Sequence, residues 1–141
     1  MENLEDRDDL TINDLITELY LSWGNNGFSK SFSSPEQKNV IIAWAYDCNV
    51  ANGGHVSFFD RFGDVFSTDE VAEALHATGG EKCALNFLSA AERICYDEQS
   101  GYGFGDDEPE DTEDNILWDM KPAFADLVEE YASNKKDLIF K

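Results

Sequence analysis

Between Leu10 and Trp23 the apolar residues fall at Leu10, Ile12, Leu15, Ile16, Leu19, Tyr20 and Trp23. Steps of three and four place them along one stripe of an α-helix, and the run Gly24-Asn25-Asn26-Gly27 stops it. A second helix start is written in Ser34, Pro35 and Gln37. Serine caps, proline occupies the first helical position where its missing N–H is no loss, and the glutamine completes a capping box. From Val40 to Tyr46 the chain is apolar nearly all round, which marks a central, buried helix and not a surface one. Asn52-Gly53-Gly54 reads as the turn that ends it, a place where the backbone needs positive φ.

Downstream, Phe58, Phe59, Phe62 and Phe66 recur at helical steps. Ser67 and Glu70 form a second capping box, opening a helix that closes at Gly79-Gly80. Ala84, Phe87, Leu88, Ala91, Ile94 and Cys95 then share a stripe. In the last segment, Leu117, Met120, Phe124, Leu127, Val128 and Tyr131 share another, with Pro122 expected in the first turn of the final helix. No segment sustains period-two alternation. The expectation is an all-α fold, a single compact domain of about five to seven helices. Residues 1–9 are expected to be a loose acidic N-terminus, and residues 10–141 a single helical domain with an acidic loop at about 98–114.

Charge changes the picture. Thirty Asp and Glu stand against ten Lys and Arg in 141 residues, a net charge of −20. No one tail carries it, since residues 1–70 hold 13 acids and 4 bases and residues 71–141 hold 17 and 6. A compact chain of this length has a radius of gyration of ~14 Å and a diameter of about 37 Å. The same length of duplex DNA carries about 22 charges. Such a field repels nucleic acid and anionic membranes, attracts basic surfaces and speeds their encounter. A salt-adapted protein would wear a similar coat, but seven lysines and eighteen aromatic residues do not particularly favour that reading.

The remaining chemistry is sparse. Cys48, Cys83 and Cys95 sit among apolar residues with no C-x-x-C spacing, which suggests buried thiols in a reducing compartment. The first residues lack an apolar signal core, and no apolar run approaches the ~18 residues of a membrane span. A cytoplasmic protein is expected. His55 and His76 are the only histidines, and nothing in the sequence fixes a catalytic set around either. There is no H-E-x-x-H, P-loop or Rossmann glycine pattern, and "SGYGFG" reads as a flexible loop. We therefore expect no enzyme activity, no catalytic residue, no metal and no cofactor.

The densest acidic stretch is "GDDEPEDTED", residues 105–114, with carboxylates at Asp106, Asp107, Glu108, Glu110, Asp111, Glu113 and Asp114. Calcium is the obvious rival occupant, but the helix-loop-helix pattern needs glycine at its sixth position. Counting from Asp97 that position is Tyr102, and counting from Asp106 it is Asp111, so neither register fits. Helix acids add to the coat: Asp14 and Glu18, then Asp69, Glu70 and Glu73, then Asp126, Glu129 and Glu130. Like charges at these spacings cost helix stability, yet carboxylates spread over a rigid body are what phosphate mimicry would require.

The segment "PEQKNVIIAWAYDCNVANGGHVSFFDRFGD", followed by "VAEALHATGGEKCALNFLSAAE", resembles a family of small, acidic, all-helical bacterial proteins of unknown function that includes a DNA-mimic protein. The shared marks are an apolar helix, Asn52-Gly53-Gly54, the aromatics Phe58 and Phe59, and then Ala74, Leu75, Gly79 and Ala91. They cover about residues 35–95. Members of that family usually carry an aromatic residue directly after Asn-Gly-Gly, where this chain has His55. The resemblance implies an α-helical fold without known catalysis and, for part of the family, inhibition of a DNA-binding protein by carboxylates standing where phosphates would. It assigns no site residue.

The expected function is therefore an acidic DNA mimic. Its partner would be a basic DNA-binding protein, a regulator or nuclease, held through the carboxylates of residues 106–114 with help from the helix acids. The mimic would bind no nucleic acid or membrane itself. Pairing two protomers into a homodimer would lengthen the charged surface. The rival expectation is an immunity protein or antitoxin that covers one cognate toxin by the same acid-on-base physics. A metal-dependent or small-molecule enzyme is the third.

Overall fold

A computed structural model describes residues 11–28, 31–63, 65–100, 116–117, 119–120 and 123–140. They form α1 (Ile12–Asn25), α2 (Pro35–Phe62), α3 (Thr68–Gly79), α4 (Glu81–Ser100), α5 (Phe124–Asn134) and the short α6 (Lys136–Ile139). No strand occurs among the described residues. The protein is a single compact all-α domain whose buried apolar residues join in one cluster.

Each helix start has a local cause. At α1 the Thr11 hydroxyl accepts from the Asp14 N–H at 3.1 Å, and the Asp14 carboxylate accepts from the Thr11 N–H at 3.1 Å. This closed box was not expected from the apolar stripe, which points to Leu10 as the start; Leu10 lies outside the described residues. At α3 the Ser67 and Glu70 box closes as predicted, with arms of 3.1 and 3.0 Å. At α2 half of the predicted box forms, with Ser34 Oγ accepting from the Gln37 N–H at 3.0 Å. The other half is diverted. Gln37 Oε1 accepts from the Ser33 N–H at 3.0 Å, and Gln37 Nε2 donates to the Ile139 carbonyl at 2.8 Å. The Ser34 hydroxyl donates to the Leu138 carbonyl. The start of the central helix is thus tied to the far end of the chain, a use of Gln37 that no local pattern announces.

Helical geometry in α2 breaks at Gly53 and Gly54, where the sequence placed a helix-ending turn, and a second helical segment runs on to Phe62 across the kink. The Asn52 side chain caps the turn before the bend, donating to the Cys48 carbonyl at 2.8 Å. Gly54 sits at φ 78°, ψ −179°, a conformation essentially reserved for glycine. The bend brings the second half of α2 back over the first. As a result Tyr46 meets Phe58 edge-on at 5.4 Å, and also meets Phe87 of α4 at 5.8 Å and Phe124 of α5 at 5.7 Å. A second group centres on Trp23, whose ring lies 4.9 Å from Phe28, 5.8 Å from Phe62 and 5.5 Å from Phe66. Phe28 occupies the left-handed region at φ 60°, unusual for a bulky residue, and its ring is held between Trp23 and Phe62.

Two stripes differ from expectation. On α4 the buried face is Cys83, Ala84, Phe87, Ala90 and Ala91, while Leu88 is 37% exposed and Leu85 is 56% exposed. The small residues face inward because α4 lies close along α3, and the leucines turn outward. Ile94 and Cys95 fall where side chains lie outside the described residues. On α5, Phe124, Val128 and Ala132 are buried and Leu127 and Tyr131 half-buried. This helix begins at Phe124, so Pro122, itself outside the described residues, precedes α5 and does not open it. Where α3 ends, Gly79 lets α5 approach: a Cβ there would stand 2.5 Å from the Phe124 ring and 2.7 Å from Cys83 Sγ.

Gly54→Ala should destabilise the protein by about 1–3 kcal/mol, because alanine strains at this φ and ψ. A urea titration should show a lower midpoint with an unchanged slope, and an unchanged midpoint would refute the bend's dependence on glycine.

Candidate functional site

The seven carboxylates at Asp106, Asp107, Glu108, Glu110, Asp111, Glu113 and Asp114 lie outside the described residues. The helix acids are described. Asp14, Asp69, Glu73, Asp126 and Glu130 are exposed, and Glu18, Glu70 and Glu129 are half-buried. Among the described side chains are fifteen Asp and Glu and five Lys and Arg, and none of those acids is buried. Helix α5 packs against both α1 and α3, so the three acid-bearing helices are neighbours.

These acids are not equivalent. Asp14, Asp69, Glu70 and Asp126 occupy first turns, where a carboxylate faces the positive end of its own helix and stabilises it by about 0.3–1 kcal/mol. Glu70 carries two duties, capping Ser67 with one oxygen and pairing with Lys38 Nζ through the other at 2.7 Å. That pair joins α3 to α2, and its half-exposed setting limits it to about 1 kcal/mol or less. Glu18, Glu73, Glu129 and Glu130 have no helix-start role. The sequence pattern placed all eight in one coat; local structure separates acids that stand at the start of their own helices from acids that stand further along.

Four groups outside that coat are shifted upward by burial. Burial pushes the Cys83 thiol up to about 11, and its sulfur lies 3.5 Å from Met120 Sδ. Burial also raises the Cys48 thiol, with the neighbouring Asp47 carboxylate adding to the effect. Tyr20 is raised by burial, partly offset by Arg61. Asp47 is raised by burial from its ordinary 3.8. A cysteine nucleophile needs the opposite shift, towards thiolate.

The histidines are separated by burial. His76 is exposed in the last turn of α3. His55 is fully buried, with Nε2 2.5 Å from the Tyr46 hydroxyl and its ring edge-on to Tyr46 at 5.2 Å. At the position after Asn-Gly-Gly it supplies a core ring as well as a partner for a buried phenol. Among the described residues no three His, Cys, Asp or Glu side chains gather as a metal site. Nor is any helix among them long and apolar enough to cross a membrane.

A compact helical body that buries none of its described acids, in a chain with a net charge of −20, defines a class of small acidic all-α proteins. The family model for DMP19-like proteins matches residues 31–140, and the chain belongs to that family. The match extends past the Asn-Gly-Gly region to include α5 and α6. No curated protein and no solved structure matches the chain.

Two predictions concern the shifted groups. At pH 8 native Cys83 should react with iodoacetamide about 100-fold more slowly than the unfolded chain's thiols, because so little thiolate is present. Peptide mapping after a timed pulse would reveal it, and labelling of Cys83 at the unfolded rate would contradict its burial. Asp47 binds its proton more tightly folded than unfolded. Its contribution to stability is therefore present below the ordinary 3.8 and lost as pH rises through the folded value. Asp47→Asn should raise the urea midpoint at neutral pH, and that advantage should vanish at about pH 3. An advantage that grows on acidification would reverse the assignment.

Proposed function

We propose that this protein is a DNA mimic that binds and inhibits a basic DNA-binding protein through surface carboxylates. The observation that carries the proposal is a net charge of −20 on a body of one domain, with none of the described acids in the buried core. Membership of the DMP19-like family supports it. The carboxylates of residues 106–114 supply the densest charge, and Glu18, Glu73, Glu129 and Glu130 extend it over rigid helices. On a helix, acids four residues apart rise by about 6 Å, close to two base-pair steps of one DNA strand. Charge of this density brings a basic partner in quickly and orients it before contact. No covalent step is involved, and inhibition follows from occupancy of the partner's DNA-binding face.

The test begins with capture of binders from the native host at low salt, eluted by rising salt. A partner that reads DNA should emerge, and its affinity should fall at least about 100-fold between about 50 and 500 mM salt. Duplex DNA should displace it. Affinity that stays flat across that range would rule out mimicry by charge. A salt-sensitive partner that never binds DNA, and that duplex leaves in place, would favour the immunity-protein alternative.

A further inference from the structure

One cleft in the domain has an arrangement that the acidic coat alone does not require. It opens between the C-terminal half of α1 and the start of α2, with a volume of about 360 Å³. Its floor is apolar, built on Trp23 and Ile41, which are 6% and 2% exposed. Phe32, half-buried, forms one wall. The rim is polar, with Ser22 and Asn26 exposed on α1 and Gln37 opposite on α2. None of the described lining residues bears a charge.

Three features point to the same occupant. First, α1 ends here and has no basic residue in its last turn, so its own side chains do not neutralise the negative end of its dipole. Second, aromatic carbon flanked by the polar side chains of Ser22, Asn26 and Gln37 suits a long side chain with an apolar stem and a cationic head. Third, the walls are fixed before anything binds. Gln37 is held at both ends of its amide by Ser33 and Ile139, and Trp23 is clasped by Phe28, Phe62 and Phe66. Preorganised walls lose little freedom on binding. The net charge of −20 selects a cation over an anion of the same shape.

We propose that this cleft seats an arginine side chain of the basic partner, its stem on Trp23 and Phe32 and its guanidinium among the oxygens of the rim. Arginine fits better than lysine because a planar guanidinium stacks on aromatic carbon and reaches several acceptors at once, whereas an ammonium is a compact, strongly hydrated charge. The proposal rests on the mimicry reading and adds to it a point of specificity. The distributed carboxylates attract any basic protein, and the cleft prefers one that presents arginine at the right place. Anchors of this type commonly dominate an interface whose remaining contacts are close to neutral.

Nona-arginine and nona-lysine serve as probes, titrated into the full chain at low salt with amide and indole NMR shifts recorded for every resolved residue. The arginine peptide should bind about tenfold more tightly and shift Ser22, Trp23, Asn26 and Gln37. Ser22→Lys places a cation on the exposed rim, and Ala77→Lys on exposed α3 makes the same change in net charge elsewhere. Ser22→Lys should weaken nona-arginine about tenfold more than Ala77→Lys does and abolish the preference over nona-lysine. Spectral dispersion of both variants confirms folding. Equal losses in the two variants, or equal affinity for the two peptides, would overturn the cleft while leaving the acidic-surface reading intact. Binding of neither peptide to the unmodified protein would instead overturn that reading itself.

Discussion

A chain with a net charge of −20 must gather enough apolar contact to outweigh the repulsion among its own carboxylates, and here that contact is organised around Tyr46. The phenol lies on the central helix and is met edge-on by rings from the far half of the same helix, from α4 and from α5. Each such pair adds about 0.5–1.5 kcal/mol beyond the area it buries. The hydroxyl is the costly part of this arrangement, because a buried phenol without a partner costs about 1–3 kcal/mol. His55 meets it. His55 reaches that position only because α2 turns at Gly54, so one glycine conformation, one hydrogen bond and the convergence of three helices depend on one another.

The fold was largely readable in the sequence, and the reasons are local. Apolar residues three and four apart define α1, and serine with glutamate three residues later opens α3. The nearly uninterrupted run Val40–Tyr46 turns out to be buried throughout, as a central helix requires. What could not be read is what depends on distant partners. Nothing in Ser34-Pro35-Glu36-Gln37 says that the glutamine amide will leave its capping box to hold Ile139. Asn52-Gly53-Gly54 announces the break in α2, but nothing in it gives the angle at which the two helical segments meet. The outward turn of Leu85 and Leu88 follows from the closeness of α3, which an apolar stripe in one helix does not encode.

The candidate site was legible in a different way. Composition gave the sign and density of the charge, but it did not separate carboxylates with structural work from those without it. Asp14 and Glu70 illustrate the difference. Both belong to the surface charge, and both close the capping boxes that start their helices, a role the sequence announces for Glu70 and not for Asp14. The Ser67-to-Glu70 spacing already contains that information for one of them; for Asp14 the signal is Thr11, which lies inside an apolar stripe that begins at Leu10. The cleft beside Trp23 had no sequence signal at all, since its lining comes from two helices and the segment between them.

Division of labour among the acids bears on how a coat of this density is tolerated. A carboxylate in the first turn of a helix offsets part of its repulsive cost by meeting free backbone N–H groups. Asp14, Glu36, Asp69, Glu70, Glu81 and Asp126 all stand in first turns. Opening several helices with acids therefore raises surface charge at small expense to the fold, and each helix start becomes a fixed point from which further acids project a turn later. Glu18 follows Asp14 and Glu73 follows Asp69 in this manner, four residues on. Those later carboxylates lack the compensation of a helix end, so their cost has to be met by the aromatic core beneath them. A charged surface and a rigid interior are in this sense one design, in which the packing around Tyr46 and Trp23 sets how much uncompensated charge the helices can carry.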